Sequence, residues 1–171
     1  MINQLKELLI NGQLYDKLQH PEEWDSLIIN RRKPYTYRVF TMIGTLRVCL
    51  HRFDECSNTE SFIHPHAWPA AFTILRGKYE MKIGRSLNTL DKPTEFHSLI
   101  LAKDSFYEMV DPLEWHAITP LQETHTIMIN GPNYDHPHID VRTTKGKDLE
   151  KMKRWDLEET IGLFSDFLFF G

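Results

Sequence analysis

Three histidines carry the first chemical signal in this sequence. His64 and His66 flank a single proline, and His116 follows in the run EWHAIT. In a strand, side chains two apart point to the same face, so His64 and His66 can reach one ion together. A third imidazole from a later strand would complete a divalent-metal site, and neutral imidazole suits Zn, Cu, Fe and Ni. Spacing alone is thin support, because nine histidines in 171 residues give on the order of 0.5 such pairs by composition. The chain has two pairs, the second being His136-Pro137-His138. Their surroundings differ. His64-Pro65-His66 opens onto the apolar run AAFTILRG, which ends at Gly77. His136 and His138 stand in NYDHPHIDVR between Asp135 and Asp140, and read as a solvated loop.

Arg38 is the next candidate. It shares a strand face with Thr36, Phe40 and Met42, a mostly apolar set that favours an interior position. A planar guanidinium there suits bidentate binding of a carboxylate. The plainer alternative is a surface pair with an acid at a strand edge. Trp68 and Trp115 flank the histidines and read as core or rim aromatics, with pocket lining as the alternative. Cys49 and Cys56 have no spacing for a zinc knuckle or a disulfide framework. His20, His51, His97 and His125 show no convergent partners; His125 stays open as a fourth polar group because its strand follows that of His116. The G-x-S-x-G, P-loop and dinucleotide fingerprints are absent, so hydrolase and nucleotide readings lack their main signals.

The elements that would hold these residues are short strands. From Pro34 to about Arg142 the chain runs through PYTYRVFTMI, LRVCLHRF, FTILR, KYEMKIG, FHSLILA, SFYEMV, WHAIT, HTIMI and IDVRT. Turn residues separate them at Gly44-Thr45, Arg76-Gly77, Asp91-Lys92-Pro93, Asp111-Pro112 and Gly131-Pro132-Asn133. Such a series predicts an all-β sandwich or barrel. The first thirty residues read as helical. Ile2, Leu5, Leu8 and Leu9 share one face, Asn11-Gly12 gives a stop signal, and Pro21-Glu22-Glu23 looks like a first turn. The tail returns to helix, with Asp156 and Glu159 spaced as a capping box ahead of a stripe of Leu157, Ile161, Phe164 and Leu168. That stripe is expected to dock on the barrel; the alternative for the terminal FLFFG is a homodimer or membrane contact.

Composition bounds the rest. A length of 171 residues predicts a single domain: a helical extension over 1–33, a β-barrel over 34–142 and a helical segment over 143–171. The balance of 41% hydrophobic and 26% charged residues is that of a soluble globule. A net charge of −4 offers no basic footprint for nucleic acid. No apolar run approaches the roughly 20 residues of a membrane span, and MINQLKELLINGQL has no signal-peptide pattern. With only two cysteines, a reducing cytoplasm is the expected location.

The segment FIHPHAWPAAFTILRG resembles the first cupin motif: H-x-H, a hydrophobic stretch, then a glycine turn, with Gly77 eleven residues past His66. The surroundings of His116 resemble the second cupin motif, with Pro112-Leu113-Glu114-Trp115 in place of its P-x-G and Pro120 where an asparagine is usual. The resemblance covers roughly residues 34–142. It implies an all-β cupin fold, a jelly-roll barrel with helices added at both ends, and a metal held inside by His64, His66 and His116. The usual cupin glutamate ligand would fall at Ala70. The implied donor set is therefore three histidines without a carboxylate, as in the cysteine dioxygenase branch. PYTYRVF resembles that branch's Y-T-R segment with one residue inserted, and Arg38 stands 26 residues before His64, a matching interval. In that branch the arginine holds the substrate carboxylate. The cysteine of the branch's thioether crosslink would fall at Ala70 or Ala71, and its later His and Tyr near Gly131 and Asn133, so any site here is uncrosslinked.

The expectation is a metal-dependent oxidoreductase, dioxygenase-like, acting on a small carboxylate or thiol, with one divalent ion, Fe(II) before Zn, Ni or Mn. The rival readings are a non-catalytic cupin that binds a metal or metabolite, and a metal-free isomerase or epimerase on the same barrel.

Overall fold

The computed structural model describes residues 1–88, 90–135 and 150–169. The chain enters through two short helices, α1 (Ile2–Ile10) and α2 (Gln13–Leu18). Gly12 separates them at φ +83, a conformation that costs glycine little. Pro21–Glu23 makes a single 3₁₀ turn. The next five residues depart from the helical expectation. Asp25–Ile29 is a strand, β1, paired antiparallel with β2 (Thr36–Ile43) from Asp25 opposite Phe40 to Ile29 opposite Thr36. Its β-branched Ile28-Ile29 suits a pleated edge, and tertiary pairing decides the matter.

Strand β2 turns at Gly44-Thr45 into β3 (Leu46–Phe53), with Ile43 opposite Leu46 and Arg38 opposite His51. A very short β4 (His64–Pro65) precedes β5 (Ala70–Arg76), β6 (Lys78–Arg85), β7 (His97–Ala102), β8 (Phe106–Met109), β9 (Glu114–Pro120) and β10 (Thr124–Asn130). The order is β1-β2-β3-β10-β5-β8 in one sheet and β4-β9-β6-β7 in the other. Gly77, at φ +84, makes the corner where the chain passes from the larger sheet to the smaller. The expected strand IDVRT and the pair His136 and His138 lie outside the described residues.

The larger sheet is buried on both faces. Its outer face carries Val39, Val48, Leu50, Ala71, Ile127 and Ile129 against Leu5, Leu8, Leu14 and Leu18 of the first two helices. The same cluster takes Leu157, Ile161 and Phe164 from α3 (Arg154–Phe169), so the terminal stripe docks on the barrel as its spacing predicts. The capping box does not form: the helix starts at Arg154, which puts Asp156 inside the first turn rather than ahead of it. No described helix is long and apolar enough to cross a membrane.

The inner faces meet between the sheets. Phe53, Ile74, Tyr79, Met81, Leu101 and Ile118 fill one end. Cys49, Ala70, Phe72, Met109 and Met128 form a second layer, with Phe40, Trp68 and Tyr107 packed on it. The KYEMKIG alternation is realised here, with Tyr79 and Met81 buried and Lys78 exposed. Phe72 stacks flat on Tyr107 at 4.5 Å, and the Tyr79 hydroxyl donates to that of Tyr107 at 2.9 Å.

Candidate metal centre

The backbone brings the three histidines together. His64 stands directly opposite His116 in the β4–β9 ladder, and opposed residues share a face. His66 follows two residues after His64. The ring centroids are 4.7 Å apart for His64–His116, 4.7 Å for His66–His116 and 5.5 Å for His64–His66. One ligating nitrogen from each ring lies within 4.8 Å of the other two. The closest approach is Nε2 of His66 to Nε2 of His116, at 3.1 Å. Two neighbouring ligands each about 2.1 Å from one ion at a right angle would be about 3.0 Å apart. The geometry therefore fits a divalent ion.

The chemistry of the donors fits as well. Burial first, then the charge of neighbouring His64 and Arg38, holds His66 well below the ordinary histidine range. His116 is held low by burial and then by His64 and His66. Burial takes His64 down to about 4 against the opposing pull of the Phe62 carbonyl, with Arg38 adding to the burial effect. Neutral imidazole is the ligating form. Phe62 stacks on His64 at 4.6 Å, and its carbonyl lies 3.4 Å from His64 Nδ1. The Nδ1 atoms of His66 and His116 are buried without a hydrogen-bond partner. Ala70 is fully buried, so the position of the usual cupin glutamate offers only a methyl group.

Arg38 points to the same interior. It is half-buried, and its Nε donates to Nε2 of His51 at 2.8 Å. Burial pushes the guanidinium down from its ordinary value, the nearby Cys49 thiol resists, and Arg47 adds to the lowering. No described carboxylate pairs with it. His51, whose spacing in the chain shows no convergent partner, is thus the residue that holds Arg38. Trp68 lies beside His66, ring centroids 6.0 Å apart. Tyr134 donates its backbone N–H to the Ala67 carbonyl at 2.8 Å, which ties that segment to the histidine loop.

His125 does not join this group. Alternation along β10 puts it on the side of Ile127 and Ile129, under the helices, where it packs on Phe164 at 5.6 Å and Phe167 at 5.0 Å. A second convergent set, His20, Glu22 and Glu23, is exposed and already paired: His20 with Glu22 at 3.1 Å, and Glu23 with Lys17. Cys49 and Cys56 are free thiols.

No protein-family model and no curated protein matches the sequence. Solved structures do share the fold. The chain is similar to hydroxypropylphosphonic acid epoxidase from S. wedmorenis, with a TM-score of 0.51 and 16% identity over 66% of this chain and 57% of that one. It is similar to Fe(II)-HppE with the alternative substrate (S)-1-HPP, at TM-score 0.52, 16% identity, 66% of this chain and 58% of that one. The Fe(II) form of HppE gives TM-score 0.52, 17% identity and the same coverage of 66% and 58%. This chain thus spans under two thirds of the length of those structures. The fold is an all-β cupin barrel with terminal helices, as the motif resemblance implied. Three histidines inside it can hold a metal ion; the cysteine dioxygenase branch does not appear among these neighbours.

Proposed function

We propose that this chain is a metal-dependent cupin enzyme, a dioxygenase-like oxidoreductase that acts on a small carboxylate or thiol. His64, His66 and His116 would hold one divalent ion, Fe(II) before Zn, Ni or Mn. The observation that carries this reading is the 3.1 Å approach of two neutral imidazole tips, one half-buried and one buried, inside a barrel with a third ring beside them. Fe(II) as the first choice follows the dioxygenase resemblance and the Fe(II) in two of the similar structures.

When bound, the ion would supply open coordination positions for oxygen and substrate. The chain's own residues do the rest. Neutral donors leave the ion its full charge, and Arg38 adds a further positive charge with no protein carboxylate to cancel it. Such an interior selects an anion. Arg38 would take the substrate's carboxylate and fix its orientation against the metal, and positioning of this kind can remove several kcal/mol from a barrier. Trp68, Phe72 and Phe40 would exclude bulk water from the reacting end. For a thiol the balance closes without an external reductant: R–SH and O₂ give R–SO₂H. The two free cysteines fit a reducing, cytoplasmic setting.

The test is metal analysis of the purified protein, then oxygen uptake by iron-loaded protein against a panel of thiols and small carboxylates. Uptake that depends on His66 and on substrate supports the reading. Metal and ligand binding without oxygen consumption or ligand change would replace it with the non-catalytic cupin. Turnover that survives a chelator would point instead to the metal-free isomerase.

A further inference from the structure

Arg38, His51 and Thr126 stand in one row across three adjacent strands. Arg38 on β2 is opposite His51 on β3, and His51 is opposite Thr126 on β10. His51 and Thr126 are 2% and 1% exposed. Arg38 Nε lies 2.8 Å from His51 Nε2, and His51 Nδ1 lies 3.4 Å from Thr126 Oγ1. A guanidinium can only donate. His51 Nε2 must therefore be the bare nitrogen, Nδ1 carries the proton, and Thr126 Oγ1 stands beside it as an acceptor.

Two consequences follow for Arg38. Its Nε–H is used up, so the edge left for a ligand is the pair of terminal nitrogens, and no described residue satisfies these. The group that orients it is also neutral. A carboxylate in place of His51 would hold the guanidinium equally well but would cancel its charge. A neutral acceptor fixes the direction of the fork and leaves the positive charge free.

We propose that His51, backed by Thr126, is a positioning residue that aims an uncompensated Arg38 fork at the anionic end of a small ligand whose other end reaches the metal. This deepens the metal-enzyme reading and rests on it. The substrate class is a small anion carrying a second, metal-binding group, held end-on by the two terminal nitrogens of Arg38.

The experiment uses Co(II)-loaded protein without oxygen and two probes, mercaptoacetate and 2-mercaptoethanol. Both offer sulfur to the metal, and only the first offers a carboxylate to Arg38. The parent should prefer mercaptoacetate. His51→Leu should weaken mercaptoacetate by about tenfold or more, the scale of a lost charge-assisted bond, while metal content and 2-mercaptoethanol binding stay unchanged. His51→Gln, which keeps an acceptor, should retain most of the preference. His51→Glu, which keeps an acceptor but brings a charge, should lose it. A purely structural role would not separate Gln from Glu in this way. In the metal-free parent, proton–nitrogen correlation spectra should show His51 as the Nδ1–H tautomer, a readout that needs no variant to fold. An Nε2–H tautomer, or His51→Leu with the parent's preference for mercaptoacetate, overturns the proposal. A parent that takes up no Co(II) or binds neither probe overturns the metal reading and this inference with it. A parent that binds 2-mercaptoethanol at the metal but shows no preference overturns this inference together with the Arg38 anchor and leaves the metal site standing.

Discussion

His64 and His116 face each other across the β4–β9 ladder, 4.7 Å between ring centroids, with His66 reaching the tip of His116 at 3.1 Å. The two-residue strand β4 thus delivers His64, the residue just after it is His66, and a partner strand some fifty residues away delivers the third imidazole. The separation of the ligands in sequence is bridged by one antiparallel pair.

The convergence predicts which histidines matter for metal. His66→Ala should lose the bound ion, since two ligands remain where at least three are needed for a stable catalytic-type site. His136→Ala should keep it. Elemental analysis of the two variants beside the parent decides. Metal lost from His136→Ala and retained in His66→Ala would assign the site to the other pair.

Arg38 should act on substrate and not on metal. Arg38→Ala is expected to raise KM or lower turnover by about 10–100-fold, the range of a charged hydrogen bond in a buried site, with metal content unchanged. Arg38→Lys should rescue only in part, because an ammonium lacks the planar fork and cannot share His51 and a ligand along the same plane. Steady-state kinetics on the three proteins, with metal content measured in parallel, checks this. Equal activity in all three would remove the carboxylate anchor.

Gly77 is required by its backbone and its neighbours. At φ +84 a Cβ would sit 2.5 Å from the Glu123 carbonyl oxygen and 2.8 Å from Thr124 Cα. Gly77→Ala should therefore cost about 2 kcal/mol or more, since left-handed backbone alone costs about 1–2 kcal/mol for other residues and the clash is with main chain that cannot rotate away. Urea denaturation of the variant should show a lowered midpoint. An unchanged midpoint would mean the β5–β6 corner has slack that the structure does not show.

His125 should make the fold sensitive to acid. It is 2% exposed, neither ring nitrogen has a hydrogen-bond partner, and the Glu123 carboxylate is 3.8 Å from Nε2. Burial first, then Arg76 and Arg52, pushes it down to about 4. In the unfolded chain it titrates near 6.5, as histidine does when unperturbed, at about that value. The unfolded state therefore binds more protons between these values. Stability contributed by the neutral ring is full above about pH 6.5 and falls as pH drops toward about 4, by up to about 1.4 kcal/mol per pH unit. His51, His64, His66 and His116 are held low as well and act in the same sense. Denaturation of metal-free protein at pH 7 and pH 5 should show a smaller acid loss in His125→Leu than in the parent. Equal losses would remove His125 from the acid response.

Much of the candidate site is readable before any folding. Period-two alternation puts His64 and His66 on one face, puts Arg38 with Phe40, and marks Ala70 as a position with no carboxylate. The Gly44-Thr45 turn also carries the Arg38–His51 contact, because a two-residue hairpin with Ile43 opposite Leu46 must bring 38 opposite 51. That register was available in the sequence and is the signal by which His51 could have been found. Alternation likewise groups His125 with Ile127 and Ile129, away from Thr126 and Met128.

Other features were decided only by the tertiary structure. Alternation states which face a residue takes; it does not state which strand lies beside it or which face is the barrel's interior. His116 became the third imidazole because β9 pairs with β4, a contact between distant segments whose reward is the burial of the whole interior and not any local preference. The same global burial drew Asp25–Ile29 into the sheet beside β2, and it turned the His125 face outward, where α3 covers it. Local spacing thus determined the chemistry each strand could offer, and nonlocal pairing determined which of those offers meet.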